Sequence, residues 1–159
     1  MAERASFQLR LVEPRDIEVV AGYEAEIAKV SFPDDPITDL AFYVKKLRNV
    51  PGDRKSAGFV AEQDGEVVGW AYVSQRQNFI TKARYADFHS IFVSASVRGG
   101  GVANALMKAV LDYCAGHDLT RIVFRTRATN ERMKAVLARH GFIPTQIYYE
   151  RNDPDAAGD

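Results

Sequence analysis

Arg98, Gly99, Gly100, Gly101, Val102 and Ala103 stand in a row between a β-rich run and an amphipathic stretch. Successive glycine N–H groups at the start of a helix bind a phosphate or pyrophosphate without a large net charge, and Arg98 adds one fixed cation. A plain flexible turn is the alternative, because glycine-rich loops are common. Two other phosphate-binding motifs fail on residues. A P-loop needs Lys and then Ser or Thr after its last glycine, where Val102 and Ala103 stand, and a dinucleotide fingerprint needs another Gly or Ala near Asn104 and sits at the first strand-to-helix turn. His89 is the other chemistry-bearing residue nearby. Its unperturbed pKa of roughly 6.5 leaves neutral imidazole available as a base at pH 7, the alternative being a histidine that packs and hydrogen-bonds in a sheet. His117 follows a helix end and His140 precedes Gly141, so both read as surface or capping residues.

The elements that must position these groups follow from periodicity. Phe7, Leu9 and Leu11 alternate as a first strand, and the segment 14–29 turns helical. Asp35 before Pro36 predicts the cap of a second helix carrying Leu40, Tyr43, Val44 and Leu47, which ends at Val50-Pro51-Gly52. Residues 57–77 read as a hairpin turned at Asp64-Gly65, and 86–93 as a further strand. Strand alternation places Asp87, His89, Ile91 and Val93 on one face and Ala86, Phe88, Ser90 and Phe92 on the other. The helix leaving the glycines repeats Val102, Leu106, Val110 and Cys114 at steps of four, up to Gly116. A short β run over 121–125, a helix over 130–140 stopped by Gly141, and a last β run over 143–149 complete the order β-α-α-β-β-β-α-β-α-β. The fold class is α/β with a mixed sheet, a single domain over 5–150 with a polar tail over 151–159.

The 159 residues carry 21 Lys plus Arg and 21 Asp plus Glu, a formal charge of zero. Broad electrostatic capture of nucleic acid or an anionic membrane is therefore excluded, and an anionic ligand must be held locally. Cys114 is the only cysteine, which excludes an internal disulfide or a cysteine-based zinc site and fits a reducing compartment, the cytoplasm. Charged residues from Glu3 to Asp16 break the N-terminal segment, so no signal peptide is expected, and no run is long enough to span a membrane.

The run from Arg98 to Ala103 resembles motif A of the GNAT superfamily of N-acetyltransferases: a basic or Gln residue, two variable residues, Gly, a variable residue, and Gly or Ala. Ile91, Phe92 and Val93 resemble the end of that family's fourth strand, and Asn130, Met133, Gly141 and Phe142 match its helix-to-last-strand signature. The resemblance covers roughly 5–150, with 87–142 carrying its specificity.

It implies acetyl-CoA as cosubstrate and no metal. The fourth strand would splay from the fifth after Val93, so that Ile91, Phe92 and Val93 pair with the pantetheine arm like an added strand. The N–H groups of Gly99, Gly100, Gly101, Val102, Ala103 and Asn104 would hold the pyrophosphate, with Asn130 and Met133 also on the cofactor, although Asn130 by itself reads as a helix cap. His89 stands where family members carry a Glu or His that deprotonates the substrate. Leu137 stands where many carry a Tyr that protonates the leaving thiolate, so that role passes to Tyr148, Tyr149 or solvent. The acceptor would be a primary amine of a small molecule or peptide. Asp34, Asp35 and Asp39 could attract it and Trp70, Tyr72, Phe79 and Tyr85 could line its pocket, helix capping and core packing being the alternatives. The resemblance is compatible with a homodimer. A non-catalytic CoA-binding sensor or interaction module is the other reading, motivated by Leu137 and by the missing carboxylate at position 89.

Overall fold

The computed structural model describes residues 6–154. They divide into two compact units with the boundary between Arg125 and Thr126. The first contains strand β1 (Gln8–Leu11), a 3₁₀ turn (Pro14–Asp16), helices α1 (Ile17–Ser31) and α2 (Leu40–Leu47), strands β2 (Ser56–Gln63), β3 (Glu66–Gln77) and β4 (Arg84–Val93), helix α3 (Val102–Gly116) and strand β5 (Ile122–Phe124). The strands form one sheet in the order β1-β2-β3-β4-β5. All neighbours are antiparallel except β4 and β5, which are parallel. This is the mixed α/β architecture that the sequence pattern predicts. Among the described residues no helix is long and apolar enough to cross a membrane.

Local chemistry accounts for the best-defined turn. Asp64 and Gly65 both have positive φ, 52° and 80°, as the two-residue turn joining β2 to β3 requires. The sheet then buries a different face against each helical layer. Gly58 lies so close beneath the Trp70 indole that an added Cβ would come within 2.6 Å of it, and Trp70 belongs to a core with Val20, Ala21, Tyr43, Leu47 and Val60 from α1, α2 and β2. On the opposite face, a Cβ at Gly69 would meet Val102 of α3 at 2.8 Å and Leu106 at 3.0 Å. Gly69 thus lets α3 pack directly on the sheet, and Gly58 makes room for the Trp70 indole, two positions where only glycine fits.

Helix α2 is capped by Asp39, whose side chain accepts from the Ala41 N–H at 3.0 Å, and not by the predicted Asp35. The Tyr43 hydroxyl donates to the Ile37 carbonyl at 2.6 Å, and residues 36–39 take no helical turn, so the cap falls four residues after the predicted one.

The second unit contains α4 (Glu131–Arg139), capped by Asn130, which accepts from the Met133 N–H at 3.1 Å. The strand predicted over 143–149 is absent: this segment has no ladder partner, and Ile143, Ile147, Tyr148 and Tyr149 are all more than three-quarters exposed. β-Propensity reflects packing against neighbouring strands, so an apolar alternation without a paired neighbour forms no strand.

Candidate functional site

Strand β4 changes character halfway along. Its first half pairs on both sides: Ala86, Asp87 and Phe88 face Ile122, Val123 and Phe124 of β5 while also pairing with β3. Beyond Phe88 the β5 ladder stops. The two strands therefore part five residues earlier than the predicted point after Val93, because β5 is only three residues long. Beyond Val93, the Ser94 N–H donates to the Val68 carbonyl at 2.8 Å. Hydrogen-bonded pairs alternate in an antiparallel ladder, so Phe92 and Ser90 bond to β3, while the main-chain groups of Ile91 and Val93 point toward the side where β5 has ended. These are donors and acceptors in the arrangement that an extended ligand chain needs.

The β3–β4 register slips at the same place. Tyr72 faces Ser90 but Val73 faces Phe88, so His89 is the extra residue of a β-bulge. The bulge corrects the predicted faces. Asp87 and His89 lie on the Trp70 face, as expected of each other, but Ser90 and Phe92 join them there, and Ile91 and Val93 pair with Ala71 and Gly69 on the α3 face. An uninterrupted alternation cannot produce this arrangement.

The bulge presses His89 into a polar and aromatic setting. Its ring stacks on Tyr72, with centroids 4.6 Å apart and planes at 21°, and Tyr72 stacks on Trp70. The Trp70 indole N–H donates to buried Glu24 on α1 at 2.9 Å. His89 Nε2 lies 2.6 Å from Ser74 Oγ, and Nδ1 lies 3.9 Å from Asp87 Oδ2. Asp87 is itself buried and accepts from Arg125 at 3.1 Å. Burial pushes the His89 pKa below its ordinary value. The Asp87 charge opposes that shift, and Arg76, Lys46 and Arg125 add to it. His89 is consequently neutral at pH 7, with one nitrogen free of a proton. Ser74 is the member of this group that the sequence did not suggest, since a serine fifteen residues away across a bulged ladder leaves no local signal.

The glycine run supplies a second concentration of donors. Gly99 and Gly101 have φ of 83° and 87°, and Gly101 is the N-cap of α3, with no side-chain cap on the helix start. The N–H groups of Val102 and Ala103, at the start of a fifteen-residue helix, therefore take no side-chain cap and face a ligand or solvent. The Gly100 N–H is already bonded to the Val97 carbonyl at 3.2 Å, closing the turn. A shallow cavity of about 290 Å³ lies here, lined by Phe7, Gln63, Ser96, Val97, Arg98, Gly99, Gly100 and Val102. Its exposed Arg98 cation, glycine backbone and uncapped helix start fit a pyrophosphate. A larger groove of about 760 Å³ runs beside the C-terminal half of α3, lined by Val50, Phe59, Tyr113 and His117 among others, and has a mostly apolar wall.

The remaining candidates fall as follows. Asn130 is a helix cap, and Met133 shares the less exposed face of α4 with Val136 and Leu137. Tyr148 and Tyr149 are exposed and stand on no strand. Phe79 is exposed on the β3–β4 connection, Trp70 is wholly buried, and Asp34 and Asp35 are exposed. Among the described residues no three His, Cys, Asp or Glu side chains gather as a metal site would need.

A model described as the acetyltransferase (GNAT) family matches residues 23–142. The chain is 29% identical over 98 residues to a mycothiol acetyltransferase of Amycolatopsis mediterranei, a match spanning 58% of this chain and 33% of that protein. The match thus covers about a third of the length of that relative. Among solved structures, the aminoglycoside N-acetyltransferase AAC(6')-Iy in complex with CoA superposes with a TM-score of 0.76 at 20% identity, covering 97% of this chain and 99% of that one. The ribosomal-protein-alanine N-acetyltransferase of Brucella melitensis biovar Abortus 2308 gives a TM-score of 0.68 at 22% identity, covering 93% and 99%.

Proposed function

The chain belongs to the acetyltransferase (GNAT) family, and from that premise we propose that it transfers an acetyl group from acetyl-CoA to a primary amine of a small molecule or peptide, by direct attack. The observation that carries this reading is the bulge in β4, which presents a half-buried neutral imidazole next to the point where β4 and β5 part. We assign the family's acetyltransferase domain to residues 5–150 and its location to the cytoplasm, where the single buried thiol of Cys114 stays reduced.

In this reading the N–H groups at the start of α3 and the Arg98 cation hold the pyrophosphate of the cosubstrate. The main-chain groups of Ile91 and Val93, flanking Phe92, pair with its pantetheine arm. In the second unit, Asn130 and Met133 on α4 are the residues that the family resemblance assigns to the cosubstrate. His89 takes the proton that the amine must lose as its nitrogen bonds to the thioester carbonyl carbon. The carbon–sulfur bond then breaks, and the departing thiolate is protonated by solvent or by Tyr148 or Tyr149. The similar proteins, a mycothiol acetyltransferase, an aminoglycoside N-acetyltransferase and a ribosomal-protein-alanine N-acetyltransferase, do not select an acceptor, because one fold carries many substrates.

The test is free-thiol release from acetyl-CoA across a panel of aminoglycosides, polyamines, aryl-alkylamines and short peptides with free N-termini. Release above the hydrolysis background with at least one amine, and formation of the acetylated product by mass, is the expected result. CoA binding by calorimetry with no acetylated product from any class would reduce the protein to a CoA-binding module.

A further inference from the structure

The hydrogen-bond roles at His89 follow from what faces each ring nitrogen. Nδ1 looks toward Asp87 Oδ2, 3.9 Å away, an acceptor oxygen of a carboxylate on which Arg125 and Arg76 also converge. A lone pair on Nδ1 would face that oxygen in repulsion, whereas an N–H there faces it in attraction. The neutral ring therefore carries its proton on Nδ1 and its lone pair on Nε2. Nε2 lies 2.6 Å from Ser74 Oγ, so the serine hydroxyl donates to it. The lone pair that a base needs is then already occupied by the Ser74 proton. The ring faces are no more open, since Tyr72 covers one of them. The oxygen of Ser74 keeps its own lone pairs, and no other hydrogen-bond partner of that oxygen is seen among the described residues.

We propose that Ser74 is a proton relay of the acyl transfer, which rests on the reading of His89 as the base. The proton leaving the attacking nitrogen passes to Ser74 Oγ, directly or through one water. As that O–H bond forms, the original Ser74 O–H bond breaks and its proton bonds to His89 Nε2. The ring becomes an imidazolium whose Nδ1–H faces Asp87, the carboxylate that compensates its charge. Return of that proton through Ser74 to solvent restores the neutral ring. No oxidant, metal or covalent enzyme intermediate enters. Ser74, Asp87 and His89 thus resemble a hydrolase triad in membership, but the serine moves a proton and does not attack carbon.

The experiment has two readouts. The first is the tautomer of His89 in the ¹⁵N-labelled wild-type protein, by long-range ¹H–¹⁵N correlation at neutral pH, with His89→Gln assigning its peaks apart from those of His117 and His140. It is independent of the acceptor. An Nδ1–H tautomer, with an Nε2 resonance that moves in Ser74→Ala, is the expected result, and an Nε2–H tautomer overturns the proposal. The second is thiol release from acetyl-CoA with the fastest amine of the panel. Ser74→Ala should lower kcat at least tenfold with unchanged acetyl-CoA affinity and melting temperature. If Ser74→Ala keeps more than half of wild-type kcat while His89→Gln loses a hundredfold, the imidazole acts directly and the relay is wrong, though the base stands. If both variants keep wild-type kcat, the base assignment falls and the relay falls with it.

Discussion

The two faces of the sheet are built from the same five strands and do different work. The α3 face is apolar and tight: Ala71, Val73 and Phe88 meet Leu106, Met107 and Val110, all wholly or almost wholly buried. The opposite face also buries a core under α1 and α2, but it holds Ser56, Ser74, Asp87 and Ser90 from the strands and Glu24 from α1, nearly all the buried polar residues of the molecule's described part. Burying polar groups opposes folding unless each is hydrogen-bonded, and here none of the buried side-chain polar atoms lacks a partner. The α3 face therefore anchors the sheet, and the other face uses the rigidity so gained to hold a histidine, a serine and a carboxylate in fixed relation.

The largest expected effect breaks the apolar face. Leu106→Ala removes a wholly buried side chain packed beside Gly69 and should cost about 2–5 kcal/mol of stability, read by chemical denaturation. Activity per folded molecule should stay near wild type below the melting transition. A stability change under 1 kcal/mol would show that this face is not the anchor.

The polar face should break in the opposite way. His89→Gln is expected to lower kcat/KM at least a hundredfold near pH 7, with acetyl-CoA affinity and melting temperature near wild type. The wild-type acidic limb should lie below the ordinary imidazole value, since burial disfavours the charged ring. Asp87→Asn removes the one nearby charge that favours the imidazolium, leaving Arg76, Lys46 and Arg125 to oppose it, so the limb should move to still lower pH. Stability has the same sign: the folded protein resists protonating His89, so the ring's contribution is complete above the unfolded value and is lost as pH falls toward the folded one. A limb that moves upward in Asp87→Asn contradicts the assignment. A His89→Gln protein that melts early, and is active in proportion to its folded fraction, makes His89 a packing residue.

How far the sequence revealed each face depends on how local the cause is. The Asp64-Gly65 turn, the helix repeat from Val102 to Cys114 and the glycine cap of α3 rest on residues adjacent or one turn apart, and all were legible. The side-chain cap of α2 was misplaced because Asp35 and Asp39 are equally good cap residues, and the choice falls to where Tyr43 finds an acceptor. The bulge at His89 is a property of pairing between strands, so alternation along β4 alone put Ile91 and Val93 on the wrong face. Ser74 was invisible for the same reason. Residues 143–149 carry strand-forming types without a paired neighbour, and type alone cannot supply one.

The glycine loop lies at one end of the apolar face, where α3 begins, and tests whether that face has a chemical role besides anchoring. Arg98→Ala should weaken CoA binding by about 1.5–3 kcal/mol, as expected for a hydrogen bond to a charged group, and the loss should shrink at high salt. Calorimetry in low and high salt reads both. Dephospho-CoA should bind with little further change in the wild type, because the cation at this loop is assigned to the pyrophosphate. A loss that does not depend on salt would make Arg98 a determinant of loop folding.

The smallest expected effect concerns the one proton that neither face of the sheet handles, the one the departing thiolate takes up. A thiol has a pKa of roughly 8.5, so its conjugate base is a fair leaving group near neutral pH and needs little acid assistance. Leu137 cannot donate, and Tyr148 and Tyr149 are each 86% exposed, where water is as close to hand as a phenol. The doubly substituted protein Tyr148→Phe, Tyr149→Phe should therefore lose no more than about threefold in kcat, equivalent to roughly 0.7 kcal/mol. The loss should fade as pH rises past the thiol pKa, where the free thiolate no longer requires a proton. A drop beyond tenfold at pH 7 that disappears at pH 9 would assign the acid to one of the two phenols, and the single substitutions would show which.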